Sequence, residues 1–428
     1  MLPPGRSSPC IWGDRIFLTG FKSGKLVTLC LGRADGKILW TREVEPGPIE
    51  QGSRLGNPAA PTPATDGKKV YVYFGPFGLI CYDFDGQERW RKPMPTPVTQ
   101  HGAGTSPVLA DGRLFLACDQ DVGSFLLAVN TENGETIWKR DRPAYRRGFS
   151  TPLLWPHEKP ELILIASTLR LAAYGVDNGT ELWSIRGLPN EMVASPVAGE
   201  GLIFAGGWTH GSGVSKLPTF ALLLEQGDQN HDGQLTRDET PLGPAKQHFL
   251  YIDADKNGSI TRDEWNSIAS IFERSENALL AVRPDGCGDV TATHVVWKQK
   301  RGLPYVPSPL LYEGRIYLVK NGGLASCFDA RTGEVHYQEE RLGALGDYYA
   351  SPVAADGKIC VASQPGVVVI CRAGGDLEVL ARNNLGEPIL ATPAIAENKL
   401  YVRTEAHLYA FGERSAGSMF SEKHAEEQ

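Results

Sequence analysis

A Ser-Pro or Thr-Pro pair opens a similar stretch of sequence eight times, at Ser8, Thr62, Ser106, Thr151, Ser195, Ser308, Ser351 and Thr392. Successive starts lie 41 to 54 residues apart, except for an interval of 113 between Ser195 and Ser308. Each unit runs through an apolar segment, a turn and a second apolar segment, as in SPVLADGRLFLA from Ser106 and SPLLYEGRIYLV from Ser308. A third segment carries a small residue, and a turn rich in Asp, Asn and Gly leads to a fourth that closes on Trp40, Trp90, Trp138 or Trp183. Apolar alternation broken by Gly-containing turns signals strands and hairpins. Four short strands in about 40 to 45 residues is the spacing of a propeller blade. A sheet this small cannot bury both faces by itself. Stacked blades can, and the regular Trp, including Trp297, supplies large apolar area at the contact. Later units relax the motif, with Tyr337 and Leu380 read in the Trp place. The expected fold is all-β, an eight-bladed β-propeller.

The cysteines fit this reading. Cys30, Cys81, Cys327 and Cys371 fall in one slot of the repeat, nine or ten residues before the closing residue, and Ala128, Ala173 and Ala410 fill it elsewhere. A slot shared by Cys and Ala is a small core position rather than half of a disulfide. The 48 glycines and 30 prolines, spread along the chain, suit many short strands and turns.

The long interval holds two acidic loops, DQNHDGQLTRDE from Asp228 to Glu239 and DADKNGSITRDE from Asp253 to Glu264. A calcium-binding EF-hand loop takes oxygen ligands at positions 1, 3, 5, 7, 9 and 12 and turns sharply on a Gly at 6. The first loop offers Asp228, Asn230, Asp232, the Gln234 carbonyl, Thr236 through water and Glu239, with Gly233 at the turn. The second offers Asp253, Asp255, Asn257, the Ser259 carbonyl, Thr261 and Glu264, with Gly258 at the turn. Two calcium ions are therefore expected. Leu235 and Ile260, both at position 8, are placed to join the loops through a short β contact. Thr219 is expected to cap an entering helix, and an exit helix should bury Trp265, Ile268 and Phe272. Pro241 and Pro244 in the linker keep the first exit helix short. The insert is bounded at 211–276, between the second and third strands of blade five, with the blade resuming at Ala281 in the small slot. Of four methionines only Met192 lies near it, which favours a structural ion over a Met-rich sensor groove.

Charge follows the same division. Net charge is -7, and residues 225–276 carry eleven acidic against five basic groups. No basic face suits nucleic acid, and no apolar stretch approaches a membrane span.

The pattern Ser/Thr-Pro, then DGR with apolar and aromatic residues, then TGE-x-x-W resembles the pyrroloquinoline-quinone-type propeller repeat over nearly the whole chain. That resemblance implies an extracytoplasmic location, periplasmic or secreted, of a kind in which calcium-loop insertions are familiar. It specifies fold and not activity. Quinone dehydrogenases of this type carry adjacent cysteines against the cofactor, and no Cys-Cys pair exists here, so the quinone is not expected and a binding or scaffold role is favoured over an oxidoreductase. A protein or small ligand is expected at the propeller face, where loops entering the first strands converge with His101, Arg146, Arg147, Glu191, Tyr305, Asp347, Tyr348 and Glu387. Blades are expected over 8–210 and 277–412. Residues 413–428 read as a disordered tail without a strand, so the eighth blade should lack its fourth strand. A start site placed too late would account for that and for a missing signal peptide.

Overall fold

In the computed structural model, which describes residues 1–49, 56–99, 101–212 and 217–412, each Ser/Thr-Pro start leads into the first strand of an antiparallel sheet. Eight such sheets follow one another, and the first strands of neighbouring sheets lie side by side around a ring that closes between Ala394–Ala396 and Cys10–Trp12. The fold is an eight-bladed β-propeller.

The hydroxyl at each start has a physical role. The backbone N–H of Ser8 donates to the Thr62 hydroxyl (3.0 Å), Thr62 to Ser106, Ser106 to Thr151, and so on through Ser351 to Thr392. These seven bonds of 2.9–3.0 Å tie each blade to the next. The link from Ser195 to Ser308 (2.9 Å) spans the long interval, so the insert does not break the ring. Proline fits the next position because it fixes φ and gives up an N–H that the inner edge of the sheet would not use.

Across each blade one residue from every strand forms a row, for example Cys10, Phe17, Cys30 and Trp40. Cys81 faces Trp90, Ala128 faces Trp138, Ala173 faces Trp183, Ala281 faces Trp297 and Cys327 faces Tyr337. The small residue makes room for the aromatic beside it. Blade seven differs from expectation, because its row is Val353, Cys360, Ile370 and Ala381. Cys371 and Leu380 thus sit one place off the row. The large and small positions have exchanged volumes, which keeps the core filled.

The indole N–H groups of Trp40, Trp90, Trp138 and Trp297 donate to carbonyls of Phe84, Thr131, Val176 and Ala330 in the following blade, at 2.8–3.2 Å. Each ring lies on the glycine of that blade's last turn. At Gly134, with φ +75°, an added Cβ would stand 2.7 Å from Trp90. Trp183 instead packs in a cluster that includes Val290, and Gly288–Asp289 pairs in parallel beside Glu181–Arg186 as a fifth strand. The apolar interior is accordingly divided among eight inter-blade clusters rather than gathered in one core. All eight thiols are free; six are buried, Cys10 is partly exposed and Cys287 exposed.

Blade eight shows three strands, Ala394–Ala396, Lys399–Arg403 and Leu408–Gly412. Ala410 holds its place in the row opposite Tyr401 but is exposed on its other side. Residues 413–428, expected as a tail, lie outside the described residues. Blade eight is joined to blade one by Arg403, whose buried guanidinium donates to the Ser7 hydroxyl (2.7 Å) and to the carbonyls of Ser7, Pro3 and Thr19. The Leu2 N–H donates to the Ala406 carbonyl at 2.8 Å in the same joint.

Candidate functional site: the acidic loops and the funnel

Blade five runs Val197–Gly199, Leu202–Gly207, Ala278–Val282 and Val295–Gln299, so the chain leaves after its second strand and returns at its third. Departure and return are clasped together. Asn277 Oδ1 accepts from the Thr209 N–H at 2.8 Å, its Nδ2 donates to the Thr209 carbonyl, and the Ser212 and Ser275 hydroxyls are 2.6 Å apart. Between them Phe220–Gly227 forms a helix capped by Thr219, and Arg262–Arg274 forms another behind a capping box of Thr261 and Glu264. The second helix buries Trp265, Ile268 and Ile271, with Phe272 partly buried at the edge. Leu235 pairs with Ile260 in a two-stranded ribbon, both fully enclosed. The first exit helix is absent rather than short. Arg237–Glu239 is only a turn, and the chain next becomes helical at Pro244–Gln247 and Phe249–Ile252. Pro241 and Pro244 remove the N–H groups that a continuing helix would need.

The two loops have the same internal geometry. Gly233 and Gly258 turn at φ +78° and +92°, and their N–H groups donate to Oδ2 of Asp228 and Asp253 (3.0 and 3.1 Å). Glu239 and Glu264 accept from the N–H and hydroxyl of Thr236 and Thr261, which aims both carboxylates back into their loops. These bonds hold the Glu239 carboxyl below its usual range. Carboxylate oxygens of Asp253, Asp255 and Glu264 come within 4.8 Å of one another, the one such convergence among the described residues. Asp253 is 2% exposed, and burial raises its pKa. In both loops the Oδ1 at position 1, of Asp228 and Asp253, is buried without a hydrogen-bond donor. A buried oxygen without a donor, repeated at the same position of two oxygen-lined loops, fits a hard divalent cation.

The insert lies over the mouth of the funnel. Tyr251 is held between the guanidinium groups of Arg146 and Arg147, 4.7 and 4.5 Å from its ring, and its carbonyl accepts from Arg146. Arg146 is thereby a docking residue. Lys298 and Lys300 both pair with Glu276 where the chain rejoins the blade.

Of the other residues expected at the funnel, His101, Arg147, Glu191 and Tyr305 come together there. Arg147 makes a two-pronged pair with Asp121, both contacts 2.8 Å, and stands 3.8 Å from Glu191. The Tyr305 hydroxyl is 3.5 Å from the other Glu191 oxygen. Burial raises the Glu191 pKa, with Arg147 opposing, and burial lowers that of His101, with Arg147 adding to it. Tyr348 does not face the funnel. Asn321 holds its N–H, its hydroxyl donates to the Ala344 carbonyl at 2.8 Å, and it is fully buried in the core between blades six and seven. Asp347 stays at the rim near the Tyr349 hydroxyl, and Glu387 accepts from Thr404 and the Ala406 N–H inside blade eight.

The sequence reading missed the channel lining itself. A cavity of about 160 Å³ on the axis is lined by Arg6, Ala60, Gly104, Phe149, Val193, Val306, Tyr349 and Leu390, each two residues before a Ser/Thr-Pro. Counting back from the repeat would have found them. A second cavity of about 500 Å³ lies between the insert and the funnel, and His101, Glu191 and Tyr305 line both.

Residues 7–221 and 246–418 match the family described as outer membrane protein assembly factor BamB, leaving out the whole of the first acidic loop. A protein of that name from Alkalilimnicola ehrlichii is 31% identical over 141 residues, 32% of this chain and 33% of the relative, so the chain spans about a third of that relative's length. The crystal structure of BamB from Moraxella catarrhalis superposes with a TM-score of 0.58 at 13% identity, covering 94% of each chain. The computationally designed Ika8 protein gives the same score at 8% identity, covering 96% of this chain and 97% of its own. These two similarities speak for the fold alone. With the family match running along most of its length, the chain belongs to the outer membrane protein assembly factor BamB family.

Proposed function

We propose that the protein is a calcium-binding propeller that acts outside the cytoplasm as a scaffold for a protein or small ligand, with one calcium ion in each acidic loop. The observation that carries the calcium reading is the donorless buried Oδ1 of Asp228 and of Asp253 at the first position of both loops. Each loop offers three carboxylates and an Asn, a moderate charge count that suits affinities of roughly 10⁻⁵ to 10⁻³ M. The ion is structural in this reading, since the helices around the loops are packed into one core with Leu169 of the propeller and dock on the propeller through Tyr251. The scaffold reading and the location follow the family description, which names assembly of outer membrane proteins.

Calorimetry tests it. The native chain is expected to bind two calcium ions, and Glu239→Gln with Glu264→Gln to abolish binding while the propeller's circular dichroism is unchanged. Two sites remaining in the double variant would overturn the assignment.

A further inference from the structure

The cavity of about 500 Å³ between the insert and the funnel is within the size range of small-molecule sites. Its roof is largely apolar, formed by Ile252 and Tyr251 from one short helix and Trp265, Ile268 and Phe272 from the long one, with His248 as its polar member. Its floor is charged but incompletely matched. Arg147 turns two N–H groups to Asp121, which leaves Glu191 with the 3.8 Å approach of Arg147 and the long 3.5 Å contact of Tyr305. The Glu191 side chain is 14% exposed, and a partly buried carboxylate held by long contacts among the described residues favours a cation beside it.

Tyr305, which contacts that carboxylate, belongs to a group of aromatic rings. Trp208, His210 and Tyr305 meet edge to face, with centroids 4.5 Å apart for Trp208 and His210 and 6.4 Å for each with Tyr305. His210 and Tyr305 line the cavity, while Trp208 is 37% exposed at its edge. Aromatic faces grouped around a carboxylate attract ammonium groups, and the attraction grows when water is excluded.

We infer that this cavity binds a small organic ammonium compound, its cationic head at Glu191 among Tyr305, His210 and Trp208, and its apolar body under Trp265 and Phe272. The groups invoked are not the calcium ligands, but Trp265 and Phe272 stand on the helix that follows the second loop, so binding is measured with and without calcium.

The test titrates the full chain with benzyltrimethylammonium, its neutral carbon isostere and phenylacetate, in calcium and in chelator. Saturable 1:1 binding of the cation at sub-millimolar concentration is expected, about tenfold or more tighter than the neutral isostere. Glu191→Gln and Tyr305→Leu should each weaken it by about tenfold, while Glu397→Gln, on the far side of the propeller, should not. Circular dichroism reports whether each variant folds, and protection of Trp208 fluorescence from quenching gives a second readout. Binding in either buffer supports the site, and the calcium titration reports on the loops separately. Equal affinity for cation and isostere, undiminished binding by folded Glu191→Gln, or no binding in either buffer would overturn it. So would strong preference for a lysine-bearing peptide over the small cation.

Discussion

Gly134 shows how a single residue keeps two blades in register. Its φ of +75° disfavours any side chain, and a Cβ would press within 2.7 Å of the Trp90 ring, whose N–H is committed to Thr131 next door. Gly134→Ala should lower stability by about 1–3 kcal/mol, read as a shifted urea midpoint, whereas Gly24→Ala, at φ +80° with open space around it, should show the strain alone and a smaller shift. A midpoint for Gly134→Ala no lower than that control would contradict the packing argument. The thiols make a second prediction at this scale. Burial pushes Cys30, Cys81, Cys118, Cys327 and Cys360 up to about 12 and Cys371 to about 11. At pH 8 they stay protonated and inaccessible, and Cys10, partly exposed, is likewise pushed up to about 12. Iodoacetamide should therefore add one label per native chain, at Cys287, as intact mass shows. Labelling of the others should rise only toward those high pKa values or on unfolding.

At the scale of the element, the insert packs its helices in one cluster, from Phe220 through Ile271 and joined by Leu169 of the propeller, and is attached to blade five by the Thr209–Asn277 and Ser212–Ser275 clasp. If calcium binds only the folded loops, a hundredfold excess over Kd adds about 2.7 kcal/mol. Chelation should then speed hydrogen exchange between 217 and 276 while the blade strands keep their protection. Uniform loosening of all blades would contradict it. The blades were legible in the sequence because each rests on local signals: a Ser/Thr-Pro, a Gly turn, an aromatic. The capped helices and the Leu235–Ile260 ribbon were legible for the same reason. Blade seven was misaligned by one place because its Trp has been replaced by volume at Ile370, and a swap across strands leaves no trace along the chain. The absent exit helix after Glu239 shows two prolines acting more strongly than their spacing suggested.

The whole molecule adds what local signals cannot carry. Nothing in the order of residues announced that Tyr251 would sit between Arg146 and Arg147, more than a hundred positions earlier, or that the insert would roof the funnel. His101, Arg147, Glu191 and Tyr305 were each found by sequence, but their meeting place depends on ring closure through the first strands and Arg403. The excursion in blade five also bears on how the ring is made. Elsewhere the second and third strands of a blade are hairpins that close over a few residues, whereas Gly207 must find Ala278 across 70 intervening positions. Entropy of closure grows with the logarithm of loop length, and distant pairings slow folding. An insert that folds early brings its own ends together and converts that long search into a short one. Blade five is then the last hairpin to zip in a chain starved of calcium and an ordinary one in a chain supplied with it. Stopped-flow refolding should show a slow phase in chelator that shrinks as calcium is added, and a phase indifferent to calcium would mean that the propeller closes before the insert is formed.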